Sequence, residues 1–443
     1  MKMKLTKRMS SFQIILFGFA VVIVIGALLL MLPISSQSRT VTPFIDTLFT
    51  STSAVCVTGL IVYDTATHWS LFGQAIILLL IQIGGMGVVT IAVSFALLFR
   101  KKIGLFGRGT MKEAISAPDV GGIVKLTGFI LKGIFLIEFI GAVFLFPVFC
   151  GEFGLGKGFW MAIFHSISAF CNAGFDLMGT TEKFSSLTSF TGNSIINITI
   201  MLLILIGGIG FLTWEDILKH KWRIKKYRMQ SKVVLLISMI LILVPSVYFF
   251  FFEFSSMPMK ERIFASLFQT VTPRTAGFNT VDLGLISEVG IMLMIILMLI
   301  GGSSGSTAGG MKMTTLSVLF ASTFSVFKKK DNAELMKRRI DDDTVKNATA
   351  ILLMYLTLFL LGGMLISAIE DLPLLTCFYE SASAVATVGL TLGITPTLSI
   401  ASKIILIVSM YFGRVGGLTL VYATMRGTKK NISKYPLDKI SVG

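Results

Sequence analysis

One segment of the chain reads Phe268-Gln269-Thr270-Val271-Thr272-Pro273-Arg274-Thr275-Ala276-Gly277-Phe278. It is too short to cross a membrane, and it turns at a glycine. Segments of the same form, with small hydroxyl-bearing residues before a turn that ends at glycine, occupy 49–60, 164–175 and 379–390. Their glycines are spaced about 110 residues apart, and a regular spacing of this length indicates an internal repeat.

The composition indicates a membrane protein. Hydrophobic residues make up 54% of the 443 residues and charged residues only 14%, against about 25% charged in a typical globular domain. So few charges cannot cover a soluble surface, so most of the chain is expected to face lipid or other apolar helices. The four cysteines share no metal-binding spacing, and no clustered Ser/His/Asp or Cys/His set predicts an enzyme or a cofactor site.

Eight apolar windows are long enough to cross a bilayer, which takes about 20 residues as a helix. They lie at 12–33, 71–99, 127–149, 193–214, 233–252, 286–327 (interrupted), 349–369 and 401–425. If every window crosses, most of the 39 lysines and arginines lie on one side, which the positive-inside rule assigns to the cytoplasm. The prediction is a multi-pass protein of the cell membrane with both termini in the cytoplasm. The net charge of +16 then needs no nucleic-acid partner.

Windows and glycine turns together predict an all-α membrane protein of four covalently linked membrane–pore loop–membrane repeats. Eight transmembrane helices and four short pore helices are expected, with repeat boundaries at 1–120, 121–226, 227–345 and 346–443. Each second membrane helix also contains small residues around Gly84, Gly207, Gly301 or Gly413, which favour close helix packing in lipid.

The turns contain what a cation filter needs. Rings of backbone carbonyls can replace the hydration shell of a cation, and glycine permits the backbone conformations that direct carbonyls to one axis. A short helix that enters from outside also directs its negative C-terminal end to that axis. The candidate ion-binding residues are Val57, Thr58, Gly59, Asn172, Ala173, Gly174, Thr275, Ala276, Gly277, Thr387, Val388 and Gly389.

The third repeat contains a polar interruption in its second membrane helix. It reads Gly301-Gly302-Ser303-Ser304-Gly305-Ser306-Thr307-Ala308-Gly309-Gly310. A phosphate-binding loop is a poor interpretation, because the Walker spacing is not met and apolar windows flank the segment. Non-helical backbone at membrane depth must line a cavity or be buried in protein. A gating loop and a merely kinked helix both remain open at this point.

These features resemble the Trk, Ktr and high-affinity potassium transporter superfamily, most closely the membrane subunit of bacterial Ktr systems. The resemblance extends from Met31-Leu32-Pro33-Ile34 to Lys434-Tyr435-Pro436 and is most specific over residues 269–279. It implies potassium uptake through one pore with pseudo-fourfold symmetry, with selectivity tied to the four turn glycines. It also implies that residues 301–310 form an intramembrane gate, where Arg414 hydrogen-bonds loop carbonyls in the closed state.

The resemblance further implies partners: a second copy in a homodimer and a cytosolic ring of nucleotide-binding, RCK-type regulatory subunits. The basic loops at 100–112, 219–232 and 328–339 are candidates to contact that ring, and anionic membrane lipids are the alternative. Potassium is the transported ion and sodium an expected activator, although no residue of this sequence can be assigned to sodium.

Two other functions stay open. One is the channel-like subunit of an ATP-driven potassium pump. The other is a secondary transporter for an organic solute, which is expected to contain two broken helices in inverted halves, whereas this sequence predicts a single break. Among the remaining polar residues, Arg274 is expected to hold the third turn through a carboxylate or a carbonyl. Glu138, inside the third window, has no predicted role.

Overall fold

The structure is a computed structural model that describes residues 10–88, 90–91, 104–115, 121–180, 182–417 and 419. Each predicted repeat contains, in this part of the chain, a first helix, a short pore helix and a second helix. The first helices are Ser11–Leu30, Ile123–Phe153, Met229–Tyr248 and Asp342–Glu370, and a π-helical turn, Phe249–Glu253, extends the third. The pore helices are Phe44–Cys56, Leu155–Phe170, Met259–Val271 and Leu374–Val385. The second helices are Leu71–Met86, Ser194–Gly208, Glu288–Leu299 and Ile400–Val415.

Shorter elements connect these helices. Four further helices are Thr65–His68, Leu105–Ile115, Phe211–His220 and Met313–Phe327. Single 3-10 turns lie at Pro33–Ser35, Thr188–Phe190, Ile224–Lys226, Leu283–Leu285 and Thr395–Thr397. The strands Glu334–Leu335 and Arg338–Arg339 pair antiparallel, and apart from this hairpin and an isolated bridge the regular secondary structure of the described residues is helical.

The second helices begin at capping residues that recur in all four repeats. Ser70, Asn193, Ser287 and Ser399 each accept a hydrogen bond from a backbone N–H in the first turn of the helix that follows. Such a cap satisfies one of the N–H groups that a helix start leaves free and contributes about 1 kcal/mol. Three of the pore helices instead follow a proline, which disfavours helix in the residue before it and so sets the start.

A serine of the pore helix fixes that helix to the first helix in three repeats. The Ser51 hydroxyl donates to the Ile23 carbonyl at 2.7 Å, Ser166 to Glu138 at 2.6 Å, and Ser381 to Phe359 at 2.8 Å. A glycine one turn later in the first helix leaves room for each hydroxyl. The hydroxyl pattern in the sequence therefore serves helix packing as well as the turn.

The number of membrane spans stays a prediction. By length and composition, four described helices can cross a membrane, Ser11–Leu30, Ile123–Phe153, Met229–Glu253 and Asp342–Glu370, or five if a bent pair counts as one span. The second helices are shorter. The windows 71–99 and 401–425 extend beyond the described residues, so their full length lies outside the structure.

The prediction of one continuous helix over 193–214 is wrong. The helix ends at Gly208, and Phe211–His220 continues at an angle of 99°. The reason is Gly210, whose φ of 91° is a conformation that an α-helix cannot contain. The second helices of repeats 1 and 4 end in the same way before Gly87 and Gly416, whose φ angles are 82° and 85°. The single predicted break is therefore corrected: within the described residues repeat 2 also bends, and the second helices of repeats 1 and 4 end at glycines of the same conformation.

Candidate ion pathway

The four turns share one unusual backbone conformation. Their first residues have positive φ angles of 58° at Val57, 60° at Asn172, 71° at Thr275 and 52° at Thr387. The glycines two residues later also have positive φ angles, from 69° at Gly174 to 99° at Gly59. Left-handed backbone is rare for valine and threonine and persists only where the surroundings impose it.

Pore-helix hydroxyl groups impose this conformation. The Ser53 and Ser383 hydroxyls each accept from the N–H of the turn glycine in their own repeat at 3.0 Å. In the other two repeats the hydroxyl donates to the residue after the glycine, from Ser168 to the Phe175 carbonyl at 2.6 Å and from Thr272 to the Phe278 carbonyl at 2.5 Å. These bonds explain why small hydroxyl residues precede each turn in the sequence.

The turns lie against one another in chain order. A methyl group placed on a turn glycine would meet a carbonyl oxygen of the next turn. The distances are 2.5 Å from Gly59 to Ala173, 2.7 Å from Gly174 to Ala276 and 2.5 Å from Gly277 to Val388, and Gly389 meets Thr58. The last contact returns from repeat 4 to repeat 1. The twelve candidate residues thus form a closed ring, which we call the glycine ring.

Polar side chains of the glycine ring differ among repeats. The Asn172 amide and the Thr275 hydroxyl lie 3.2 Å apart and share a hydrogen bond. The hydroxyls of Thr58 and Thr387 are fully buried and have no hydrogen-bond partner in the described part of the chain. A buried polar group without a partner costs about 1–3 kcal/mol, so these hydroxyls are suited to a ligand such as a cation or water.

The predicted loop lies next to the glycine ring. The second helix of repeat 3 ends at Leu299 and Met313 begins the next helix, so residues 301–310 lie between two helices. Thr307 donates through its hydroxyl to the Phe170 carbonyl at 3.1 Å and through its N–H to the Gly207 carbonyl at 3.2 Å. A methyl group on Gly309 would collide with the Thr387 hydroxyl. We call residues 301–310 the intramembrane loop.

Two half-buried basic side chains hold the intramembrane loop. The Arg414 guanidinium donates to the carbonyls of Thr307 and Gly84, and it lies 3.4 Å from the Gly85 carbonyl. Lys312, which the sequence reasoning did not single out, donates to the Ala308 and Gly309 carbonyls at 2.8 Å and 3.0 Å. A lysine inside the predicted window 286–327 was a usable signal, because charges at membrane depth mark functional sites.

The loop also lines a cavity of about 270 Å³. Ser304, Ser306 and Gly310 contribute to its wall together with Arg414 and Lys312. The positive charge of Arg414 at the wall of this confined space repels a mobile cation, because charges are screened less where water is scarce. The arrangement can therefore oppose cation passage beside the glycine ring.

Arg274 departs from its predicted contacts. Its guanidinium donates to the Ser238 hydroxyl at 3.0 Å and lies 3.4 Å from the Met313 sulfur, and among the described residues neither a carboxylate nor a carbonyl holds it. Its other two nitrogen positions have no partner in the described residues. The correction arises because Arg274 faces the first helix of repeat 3, which presents a hydroxyl at this point.

A buried ion pair joins the two ends of the ring of repeats. The Lys403 ammonium in the second helix of repeat 4 lies 2.8 Å from the Asp46 carboxylate in the first pore helix. The Tyr63 hydroxyl donates to the other carboxylate oxygen at 2.9 Å. Both charged side chains are about nine-tenths buried. Repeats 1 and 4 are the first and the last repeat, and no linker joins them directly. This pair therefore helps to hold their interface together.

Asp176 follows the glycine ring by two residues, outside the membrane-spanning helices. Burial raises the pKa of its carboxyl to about 6, although the Met178 N–H, which donates to it, lowers the pKa in part. The nearby Asp64 carboxylate also raises the pKa by repulsion. This carboxyl therefore gains its negative charge between about pH 5 and pH 7.

Comparison with known proteins adds a family to this geometry. The sequence model of one family, described as TrkH, cation transport protein, matches residues 3–431. The potassium/sodium uptake protein NtpJ of Enterococcus hirae is 40% identical over 454 residues, which cover all of this chain and 99% of that protein. The Ktr system potassium uptake protein B of Bacillus subtilis is 38% identical and covers 97% of this chain and 96% of its own length.

One solved structure shares the fold. The potassium transporter TrkH from Vibrio parahaemolyticus superposes with a TM-score of 0.74 over 94% of this chain and 84% of that chain, at 21% identity. At this identity the likeness concerns the arrangement of helices alone.

Proposed function

The chain belongs to the TrkH family of cation transport proteins, and from this membership we propose that the glycine ring is the selectivity filter of a potassium uptake protein. The family and its curated relatives make the chain a multi-pass membrane protein that transports cations. The finer claim is that dehydrated potassium passes through the glycine ring. If potassium passes through the glycine ring in this way, the chain is neither the channel-like subunit of an ATP-driven pump nor a transporter for an organic solute.

One observation supports the filter above all others: each turn glycine lies against a carbonyl of the next turn, around the full circle. A cation in a membrane needs oxygen ligands in place of water, and neutral carbonyls from four directions provide them without a net charge. The buried hydroxyls of Thr58 and Thr387, which have no hydrogen-bond partner in the described residues, belong to two of these turns and would be further oxygen ligands. The last residue of each turn is glycine because a Cβ there would occupy the space of a neighbouring carbonyl.

The driving force needs no nucleotide site in this chain. A cell interior that is negative by 100 mV favours entry of a monovalent cation by about 2.3 kcal/mol. Uptake through the glycine ring would follow this gradient. The intramembrane loop, held by Arg414 and Lys312, would then be the gate, and the arrangement described here would be its closed state.

We place the partners on the side that the basic loops occupy. Relatives are described as parts of Ktr systems, which suggests a regulatory subunit for this chain, of the nucleotide-binding RCK type, and a homodimer. The segment 219–232 and the hairpin at 328–339 are its candidate contacts, whereas 100–112 lies partly outside the described residues. With both termini in the cytoplasm, all three segments face the same compartment. Sodium remains a proposed activator, since one relative is described as a potassium/sodium uptake protein.

The test is rubidium uptake by cells that lack their own potassium uptake, with wild type and Gly277→Ser compared at equal membrane abundance. We expect rubidium uptake in wild type that excess sodium inhibits weakly, and a serine variant whose preference for rubidium over sodium falls by about tenfold or more, a loss of about 1.4 kcal/mol. Gly156→Ser is the matched control, because a Cβ at Gly156 meets no atom within 4 Å.

Two results would contradict the proposal. Unchanged selectivity in Gly277→Ser would make the third turn a structural feature. Absence of rubidium flux in wild type, with a Ktr-type regulatory subunit also expressed, would favour the organic-solute transporter.

A further inference from the structure

Glu138 lies in the middle of the longest first helix, Ile123–Phe153, and its side chain is buried. The adjacent Phe139 is 67% exposed on the apolar outer face, so the carboxylate is directed away from lipid into the protein. An acidic side chain at this depth is costly unless specific partners hold it, and such residues are functional candidates by default. Neither the glycine ring nor the intramembrane loop, as proposed above, uses this residue.

The partners of Glu138 come from two other elements. The Gln82 amide in the second helix of repeat 1 donates to both carboxylate oxygens, at 3.0 Å and 3.1 Å. The Cys171 thiol lies 3.8 Å from one carboxylate oxygen and 3.8 Å from the Gln82 amide oxygen. Cys171 directly precedes Asn172, the first residue of the second turn. We call Gln82, Glu138 and Cys171 the polar clamp.

The polar clamp is an addition to the common plan of the repeats. The Glu138 backbone carbonyl accepts the Ser166 hydroxyl, as Ile23 and Phe359 accept the matching serines in repeats 1 and 4. At this position those repeats carry apolar side chains, and repeat 1 carries Cys56 where repeat 2 carries Cys171. A pore loop can therefore be built without a carboxylate behind it, so packing alone does not account for Glu138.

The second helix of repeat 1 connects the polar clamp to the gate. A methyl group on Gly85 would lie 2.5 Å from the Cys171 sulfur, so this helix packs directly on the second turn. Its Gly84 carbonyl accepts from Arg414, two residues after Gln82. The polar clamp thus lies between the ring residue Asn172 and the arginine that holds the intramembrane loop.

We propose that Glu138 is a positioning residue for ion selectivity, which holds the second turn at a fixed distance from repeat 1 through hydrogen bonds to Gln82 and Cys171. The proposal rests on the proposed function of the glycine ring. Its physical basis is that potassium and sodium differ little in size, so a turn that shifts slightly alters the oxygen cage and its preference. The acceptor oxygen of the residue 138 side chain is what the clamp requires.

Two measurements test this role in the full-length protein. The first is the preference for rubidium over sodium in uptake, at equal membrane abundance. The second is the rate at which a membrane-permeant maleimide alkylates Cys171, followed by site-resolved mass spectrometry. Cys56 is the internal reference, because it is buried at the matching position of repeat 1. Alkylation needs no transport, so this arm stands even if the proposed function of the glycine ring fails.

Three variants and one control separate the possibilities. Glu138→Leu and Gln82→Leu remove opposite halves of the clamp. Each should lower the rubidium preference and raise Cys171 alkylation relative to Cys56 by about fivefold, the ratio that corresponds to one hydrogen bond. Glu138→Gln keeps an acceptor oxygen and should stay within about twofold of wild type. Ile23→Leu, the control at the matching position of repeat 1, should change neither quantity.

Three outcomes would overturn the proposal. Wild-type selectivity and alkylation in Glu138→Leu would show that the carboxylate has no positioning role. Equal acceleration at Cys56 and Cys171 would mean that the whole pore region has loosened. A Glu138→Gln variant as impaired as Glu138→Leu would assign the effect to the charge rather than to the hydrogen bonds.

Discussion

The four turns of the glycine ring are built alike, whereas one of the four second helices behind them is built differently from the other three. Every turn combines a left-handed first residue with a left-handed glycine. Behind them, the second helices of repeats 1, 2 and 4 end just before a glycine with a positive φ angle, Gly87, Gly210 or Gly416, whereas repeat 3 opens into the intramembrane loop. A ring around one axis needs four equal walls, but a single repeat suffices to block it. Under the proposed function, symmetry is kept where the four turns would share a cation and is lost where the loop of one repeat would act as the gate.

The largest expected effect follows from a substitution at one of the turn glycines. Gly389→Ala should lower rubidium uptake by about a hundredfold or more, because the new Cβ would collide with the Thr58 carbonyl. A hundredfold loss of rate corresponds to a barrier raised by about 2.7 kcal/mol, which is a modest cost for such an overlap. Gly393→Ala is the control, since Gly393 has a φ of 93° against 96° at Gly389 but no atom within 4 Å of a Cβ. Equal losses in both variants would assign the effect to backbone strain and not to the ring contact.

A second prediction concerns the interface between repeats 4 and 1, which no linker joins directly. Lys403→Met leaves the Asp46 carboxylate buried without its cation, and breaking a buried pair in this way costs about 3–5 kcal/mol. The thermal unfolding temperature of purified protein in detergent should fall clearly. Asp46→Asn combined with Lys403→Met should recover most of the loss. A double variant no more stable than the single one would show that the charges do not act as a pair.

A third prediction concerns the intramembrane loop of repeat 3 and Arg414, which holds it. Arg414→Ala removes the donor that links the intramembrane loop to repeat 1, and it removes a positive charge from the cavity wall. We expect maximal rubidium uptake to rise by about tenfold with little change in selectivity, because the barrier falls while the glycine ring stays intact. Arg414→Lys keeps the charge but cannot reach two carbonyl groups in the same fixed geometry, so it should give an intermediate rate. An Arg414→Ala variant with unchanged rate and affinity would refute the gating role.

The smallest expected effect concerns Asp176, which lies beside the glycine ring. Protonation of Asp176, whose pKa burial raises to about 6, removes a negative charge two residues from the glycine ring as the pH falls from 7 to 5. The apparent affinity for potassium should then fall by about two- to threefold in proteoliposomes, since a single partly screened charge contributes less than about 1 kcal/mol. Asp176→Asn should bind equally weakly at both pH values. A pH dependence that persists in Asp176→Asn would place the titrating group elsewhere.

The sequence could predict the turns because their signals are local. Glycine and the hydroxyl residues that hold its backbone lie within a few residues of each other, so one repeat suggests the conformation and the others repeat it. The contacts around the ring could only be expected through the family resemblance. The bend at Gly210 was missed because, in the sequence, a glycine that ends a helix looks the same as a glycine that only allows close helix packing.

Pairings across the fold left almost no signal in the sequence. Asp46 and Lys403 are separated by 357 residues, and Gln82 and Glu138 by 56. Taken alone, Asp46 fits a solvated loop and Glu138 fits a charge that reaches the membrane surface. Nothing in the sequence around Gln82 or Lys403 indicates a partner. Only the packing of the helices brings the partners together, which is why Glu138 had no predicted role and Arg274 was assigned the wrong kind of acceptor.

The most direct test of the glycine ring is the position of bound rubidium in crystals of the full chain, located by its anomalous scattering. We predict peaks on the axis of the ring, level with the carbonyls of the residues that precede Gly59, Gly174, Gly277 and Gly389. The same crystals grown in sodium should lack these peaks. Rubidium bound elsewhere, with the ring unoccupied at concentrations that saturate uptake, would contradict the claim that these four turns form the potassium filter.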